Sequence, residues 1–233
     1  MSTQDRGPLP ERQESHQEVI PPSVRAQLLA TEHWSLLASR STTQGEVLTR
    51  ISMFLTFTSA SLVSVALVGQ ATRFSDMFIL LAVVVLGIDV LIGCLTQVRV
   101  LNVAIEDLMY VVAMNRLRAA YVELDPGIAP YLMAARFDDE AGSRQTYFFL
   151  GHRSMFSHVA GSSMVFINTA NTALLAILLG LLTSLLGAST ATAVTVGIVC
   201  GIGYFTASSM YGNRLYRAAW RSFTPLSPTP GGS

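Results

Sequence analysis

The sequence predicts an all-α integral membrane protein with four transmembrane helices in two hairpins and with cytoplasmic helical extensions. Three observations lead to this fold class. The 233-residue chain is 51% hydrophobic and only 13% charged, which is about half the charge of an average soluble domain. Its apolar residues are concentrated in long runs that contain almost no charge. Its basic residues are all Arg, and they lie outside these runs.

Four apolar runs are long enough to cross a membrane. A transmembrane helix needs about 20 mostly apolar residues, and only helices or closed barrels satisfy the backbone in hydrocarbon. The strands of a barrel alternate in polarity over about 10 residues, so uninterrupted runs favour helices. The runs cover 51–69, 77–96, 163–186 and 189–211, and the short links 70–76 and 187–188 join them into two hairpins.

The hairpins divide the chain into six segments. The ends of the chain, including 225–233, are rich in Pro and polar residues and are expected to be disordered. The expected segments are a disordered N-terminal tail at 1–23, a cytoplasmic or interfacial helix at 24–50, a transmembrane hairpin at 51–96, a cytoplasmic helical segment at 97–162, a second transmembrane hairpin at 163–211 and a cytoplasmic tail at 212–233.

The placement of Arg predicts the orientation, because cytoplasmic loops carry an excess of basic residues. Of the 15 Arg, all but Arg73 lie before the first span, between the hairpins or after the last span. We therefore expect a multi-pass protein of the bacterial cytoplasmic membrane, embedded in lipid, with both termini in the cytoplasm. The formal net charge of zero gives no basic excess, which argues against a nucleic-acid partner.

Residues 98–122 carry apolar side chains in alternating steps of three and four, which is a heptad seam with one polar Asn. Nothing interrupts the pattern after the second span, so one helix from about Met77 to Leu124 is predicted. The seam either joins subunits of a homo-oligomer or packs against this chain's own helices. Small residues spaced by four let helix backbones approach in the fourth span. The candidates for an oligomer or packing seam are Leu101, Ile105, Leu108, Val112, Asn115, Gly197 and Gly201.

Several segments resemble a family of bacterial four-span membrane proteins that is common in actinobacteria. The resemblance covers about residues 28–215, and it implies the four-span topology. No activity is assigned to that family, so it implies no catalytic residue. The segments that carry the resemblance are Thr31–Arg40 (TEHWSLLASR), Met53–Leu55, Met114–Tyr121 (MNRLRAAY), Glu123–Pro126 and Pro130–Tyr131.

Asp89 is the one charged residue inside the predicted spans. A carboxylate at this depth costs about 2.5–3.5 kcal/mol on insertion scales and usually faces a bundle interior or a water path. It is therefore either a cation or proton site in a pore, or a structural group bonded to a hydroxyl of the first span.

Polar side chains near Asp89 give further candidates for a pore or ion path. The first span carries a stripe of hydroxyls, and the third span carries amides near its predicted cytoplasmic end. Both sets either line a hydrophilic path or hydrogen-bond between helices. The candidates are Ser52, Thr56, Ser59, Asn168 and Asn171.

The sequence contains no nucleophile elbow, metalloprotease motif, phosphate loop or dinucleotide fingerprint, so we expect no enzyme, no catalytic residue and no cofactor. The two Cys, Cys94 and Cys200, have no metal-ligand spacing, and the acidic turn Asp138–Glu140 is expected to be solvated rather than to bind a metal. Two functions remain. One is an oligomeric ion-conducting or pore-forming protein. The other is a non-conducting scaffold or regulatory protein that binds a cytoplasmic protein partner.

Overall fold

The computed structural model describes residues 20–151 and 161–231, and within them it contains helices, turns and irregular segments but no strand. The tail predicted at 1–23 lies mostly outside the described residues. The helices are α1 (Pro22–Ala71), α2 (Asp76–Leu124), a 3₁₀ helix (Pro126–Tyr131), α3 (Glu140–Tyr147), α4 (Ser163–Leu185) and α5 (Thr190–Ser222).

Four of these helices, namely α1, α2, α4 and α5, are long and apolar enough to cross a membrane. This confirms the predicted helical fold class and agrees with a multi-pass membrane protein. Each helix contains one of the four apolar runs that the sequence shows. Apart from Asp76 and Asp89, the charged residues of α1 and α2 lie beyond these runs, toward the start of α1 and the end of α2.

The two longest helices extend well beyond their apolar runs. The helix α1 is continuous over 50 residues, or about 75 Å at 1.5 Å per residue. The segment 24–50 is helical, as expected, and it continues into the first span without a break, so the two form one helix rather than two. The helix α2 has 49 residues and ends at Leu124, which confirms the single long helix predicted from the seam.

A tight turn reverses the chain between α1 and α2. Arg73 and Phe74 have positive φ angles of 50° and 55°, a conformation that costs energy for residues with a Cβ. The backbone N–H of Phe74 donates to the carbonyl of Gly69 at 2.9 Å. A Cβ at Gly69 would lie 2.8 Å from the rings of both Phe74 and Phe78. A larger residue at position 69 would therefore displace one or both of these rings from the turn.

The long helices pack in the order α1, α2, α4, α5. The helix α2 packs against α1 on one side and α4 on the other, while α5 packs mainly against α4. The buried core lies where α1, α2 and α4 meet, and its interdigitated side chains supply the van der Waals contacts that hold helices together in lipid. Its members are Val47, Ile51, Phe54, Leu86, Val100, Val103, Ile167 and Leu174.

The expected solvated acidic turn and disordered C-terminal end are both wrong within the described residues. Asp138 is 0% exposed and accepts hydrogen bonds from Arg116 and from the backbone N–H groups of Leu226 and Ser227. Its neighbour Asp139 caps α3 and also accepts from the N–H and hydroxyl of Thr229. The two carboxylates thereby hold the segment after α5 against the end of α2.

These hydrogen bonds also set the ionisation of the acidic pair. Burial alone would raise the pKa of Asp138, but the bonds from Leu226, Arg116 and Ser227 outweigh it and leave the pKa below its ordinary value. A carboxylate that accepts several N–H bonds is stabilised in its charged form. Asp138 is therefore ionised at neutral pH and acts as a fixed anchor.

Candidate functional site

Asp89 lies in the interior of the protein, on the face of α2 that also carries Leu86 and Gly93. It is 0% exposed. The hydroxyl of Ser61 on α1 lies near the carboxylate, but neither oxygen of Asp89 has a hydrogen-bond partner of good geometry among the described residues. The intramembrane acid predicted from the sequence therefore faces packed neighbours rather than an open surface.

The pairing of α1 and α2 decides which hydroxyls approach Asp89. Phe54 lies against Gly93, and Gly69 lies against Phe78. The same antiparallel register brings Thr58 level with Asp89. The hydroxyl of Thr58 is buried and has no partner within the described part of the chain. Asp89 and Thr58 thus lie at the same level of the α1–α2 interface, each with side-chain oxygens that have no hydrogen-bond partner among the described residues.

The hydroxyl stripe predicted to line a pore lies on a different face of α1. Ser52, Thr56 and Ser59 are exposed, and Thr56 donates to the carbonyl of Ser52, one turn back on its own helix. Thr58 and Ser61, which the stripe did not include, are the hydroxyls that face α2. Within one chain, the structure does not bring the stripe and Asp89 together.

A network of buried amides lies one to two turns from Asp89 and joins three helices. The Oε1 atom of Gln97 accepts from Asn171 and from the Tyr204 hydroxyl, both at 2.7 Å. Its Nε2 atom donates to Oδ1 of Asn168 at 3.1 Å and to the hydroxyl of Ser208. Gln97 is therefore the hub that links α2 to both α4 and α5.

Asn168 extends the network along α5. Its Nδ2 atom donates to the carbonyl of Phe205 at 3.3 Å and to the hydroxyl of Ser209 at 3.2 Å. Asn168 and Asn171 are 2% and 1% exposed. Of the two alternatives that the sequence left open for these residues, a hydrophilic path or interhelical hydrogen bonds, the geometry favours the second.

Gly93 makes this network possible. A Cβ at position 93 would lie 2.0 Å from Oδ1 of Asn171 and 3.0 Å from the ring of Phe54. The sequence analysis missed Gly93 and Gln97. The available signal was their spacing of four and eight residues from Asp89, which places all three on one face of a helix.

A cleft of about 310 Å³ opens beside the network, between α2 and α5. Gln97, Tyr204 and Ser208 contribute its polar wall, and Val98 and Tyr211 form part of its apolar rim. The polar atoms in this wall already bond to one another, so the cleft offers a mainly apolar surface. It does not include Asp89.

The predicted oligomer or packing seam packs within the chain. Leu101, Leu108 and Val112 are buried, and Ile105 is half-buried. Asn115 is 0% exposed, and it donates to the carbonyl of Phe137 and accepts from Arg118 and Thr146. The polar residue of the heptad therefore joins α2 to the segment around α3 and is not free to set the register of a second subunit.

The two glycines of the fourth span are also used within the chain. A Cβ at Gly197 would lie 2.5 Å from the carbonyl oxygen of Ala176, and one at Gly201 would lie 3.2 Å from the Cβ of Ala176. Gly197 and Gly201 thus let α5 approach α4 closely.

No family model, curated protein or solved structure matches the chain. The resemblance seen in the sequence therefore remains a prediction, and functional inference depends on the geometry alone.

Proposed function

We propose that this protein is a non-conducting scaffold of the bacterial cytoplasmic membrane, whose long helical extensions present a binding surface to a cytoplasmic protein. One observation carries the proposal. The amide side chains inside the apolar part are buried and bonded to one another, whereas α1 and α2 continue far beyond that part as a paired rod. Such an architecture is suited to holding a partner at a fixed distance from the membrane.

The length of α1 and the positions of Arg support the topology of this proposal. A helix of 50 residues is about 75 Å long, whereas the hydrocarbon core is about 30 Å thick. Arg73 lies in the turn between α1 and α2, whereas in the sequence the other 14 Arg lie before the first span, between the hairpins or after the last span. The positive-inside rule then assigns the extensions and both termini to the cytoplasm.

Cysteine labelling tests this topology. A variant without Cys94 and Cys200 would receive a single Cys at position 35 or 73. We expect a membrane-impermeant maleimide to label position 73 in intact spheroplasts and position 35 only after the membrane is opened. The reverse pattern would overturn the proposed orientation.

The partner-binding surface in this proposal is the outer face of the α1 extension. Trp34 is 71% exposed, and Leu37, which is three residues further along the same face, is 41% exposed, although both lie in a part of α1 with many polar residues. Exposed aromatic side chains of this kind often anchor protein interfaces. The seam residues Leu108 and Val112 are buried, so substitutions there would test folding rather than partner binding.

The experiment is in-cell crosslinking of the full chain followed by mass spectrometry. We expect Trp34→Ala to remove a crosslinked partner while the protein still folds and inserts. Thr42→Ala, an exposed change on the same helix, is the matched control. The scaffold proposal fails if no cytoplasmic protein is crosslinked, or if both variants retain the same partner.

A second candidate function is an oligomeric ion-conducting protein, and the unpartnered carboxylate of Asp89 favours it. Purified protein in liposomes tests this candidate directly through cation and proton flux, together with the oligomeric mass in detergent. A flux that Asp89→Asn abolishes and Asp76→Asn retains would overturn the non-conducting proposal. A monomer without flux at any potential supports the scaffold.

A further inference from the structure

Arg118 is a half-buried cation on the α2 extension that has no carboxylate partner among the described residues. Its Nη1 atom donates to Oδ1 of Asn115 at 2.6 Å, but this amide is neutral. Burial and the nearby positive charge of Arg40 lower the pKa of Arg118. A guanidinium that is partly withdrawn from water gains more from an anionic partner than an exposed one does, so Arg118 is suited to binding an anion.

Asp107, the acid that pairs with the neighbouring Arg40, cannot also serve Arg118, because its oxygens are already fully used. Asp107 accepts from Nε and Nη2 of Arg40 at 2.6 and 3.2 Å. It also accepts from Gln44 at 2.7 Å and from the Tyr147 hydroxyl at 2.6 Å. Asp107 thus balances the charge of Arg40, and the charge of Arg118 remains in excess.

Two further donors lie beside Arg118. The rings of His33 and Tyr121 are stacked with centroids 6.0 Å apart, and both are close enough to Arg118 to feel its charge. Nδ1 of His33 is buried without a partner within the described residues. Burial and Arg118 lower the pKa of His33, so its ring is neutral at pH 7 and carries one N–H.

We propose that Arg118, His33 and Tyr121 form a binding site for a soluble oxyanion, either a phosphate or a carboxylate. The guanidinium of Arg118 presents a planar fork of donors that matches either group. The imidazole of His33 on α1 and the phenol of Tyr121 on α2 supply additional donors. Arg118 lies about 30 Å along α2 from Gln97, so with the proposed topology the ligand is a solute rather than a lipid headgroup. The site is independent of the scaffold function.

Inorganic phosphate and acetate are the probes for the two ligand classes. The full chain is purified in a maltoside detergent without phospholipid and titrated with each probe, against chloride at matched ionic strength. Calorimetry gives the affinity, and the thermal midpoint rises with ligand because only the folded state binds it. Binding of phosphate alone or of acetate alone identifies the class, and no binding of either overturns the proposal.

Arg118→Met tests the central contact. Hydrogen bonds to charged groups contribute about 1.5–3 kcal/mol, so we expect at least a tenfold loss of affinity. The control is Arg25→Gln, which removes an exposed Arg on the same rod that is paired with Glu123. An Arg118→Met variant that binds the anion as tightly as the unmodified chain would overturn the proposal.

Tyr121→Phe keeps the test valid if Arg118→Met does not fold. This change removes one donor and retains the charge, so we expect affinity to fall about threefold with folding unchanged. Unaltered affinity in Tyr121→Phe would exclude its hydroxyl from the site and overturn the proposed geometry.

Discussion

The helices α1 and α2 pair along most of their length, yet different forces hold the two ends of the pair. In the apolar region, the interface contains the contact of Phe54 with Gly93 and the buried, unbonded oxygens of Asp89 and Thr58. Toward the other end, it contains ion pairs such as Arg40 with Asp107. The antiparallel register is the same in both regions. The two regions therefore differ in the environment of the helices and not in the way the helices pair.

The difference follows from the availability of water. In lipid the hydrophobic effect does not drive helices together, so close packing and hydrogen bonds hold them. Outside lipid, charged side chains remain solvated and can pair at little desolvation cost, but salt and water weaken each pair. Changes in the apolar region should therefore cost more stability than changes in the charged region.

The largest expected effect is that of Gly93→Val. The new side chain would overlap Oδ1 of Asn171 and the ring of Phe54, and forcing α2 from α4 should cost about 3 kcal/mol or more. Size-exclusion chromatography after heating in detergent measures the loss of folded protein. The control is Gly87→Val on the same helix, where a Cβ meets nothing within 4 Å. Equal melting of both variants would contradict the close-approach argument.

A smaller effect is expected for Gln97→Leu. This change removes the hub of the amide network and leaves Asn171 and Tyr204 without their shared acceptor. Interhelical bonds in membranes average about 0.6 kcal/mol each, so we expect a loss of about 2 kcal/mol. Thr206→Val is the control, since that exposed hydroxyl bonds only to its own helix. A neutral Gln97→Leu would mean that packing alone holds the three helices.

Asp138→Asn should reduce stability by as much as Gln97→Leu or by less, and its effect should be confined to the C-terminal segment. The amides of Leu226 and Ser227 should exchange with deuterium about tenfold faster, because their charged acceptor is lost. The pKa of Asp138 is lowered by folding. Its contribution is therefore complete above the unfolded pKa of about 3.9 and disappears as pH falls through the folded value.

Asp125→Asn is the control for this change, since Asp125 is exposed and, among the described residues, its side chain accepts only from the backbone N–H of Gly127. Faster exchange at Leu226 in both variants would show that the C-terminal segment is not held by Asp138.

The smallest effect is expected for Arg25→Gln. Its pair with Glu123 is 3.5 Å long, and both side chains are more than half exposed. Such pairs contribute about 0–1 kcal/mol. Thermal unfolding should change little, and 0.5 M salt should remove any difference between the variant and the unmodified chain. A loss as large as that of Gln97→Leu would reverse the ranking of the two regions.

Local sequence signals predicted the helices but not their partners. The run that ends at Leu124 was recognised because its heptad continues without interruption, and Asp125-Pro126-Gly127 marks the stop. The same heptad did not reveal what covers Asn115, since periodicity identifies a buried face but not the element that buries it. The hydroxyls of α1 show this limit as well: Ser52 and Ser61 have equal propensities, and only the register with α2 determines which of them is buried.

The sequence by itself determined four apolar helices, the length of α2 and one carboxylate inside a span, because hydrophobicity and helical periodicity are properties of neighbouring residues. The tertiary structure decided that Gln97 joins three helices, that Asp138 holds the C-terminal segment and that Arg118 has no acid partner among the described residues. The first two findings depend on contacts between residues more than 20 positions apart. The third depends on which side chains surround Arg118. The energies of these contacts arise only when distant helices come within hydrogen-bonding distance, which no local pattern encodes.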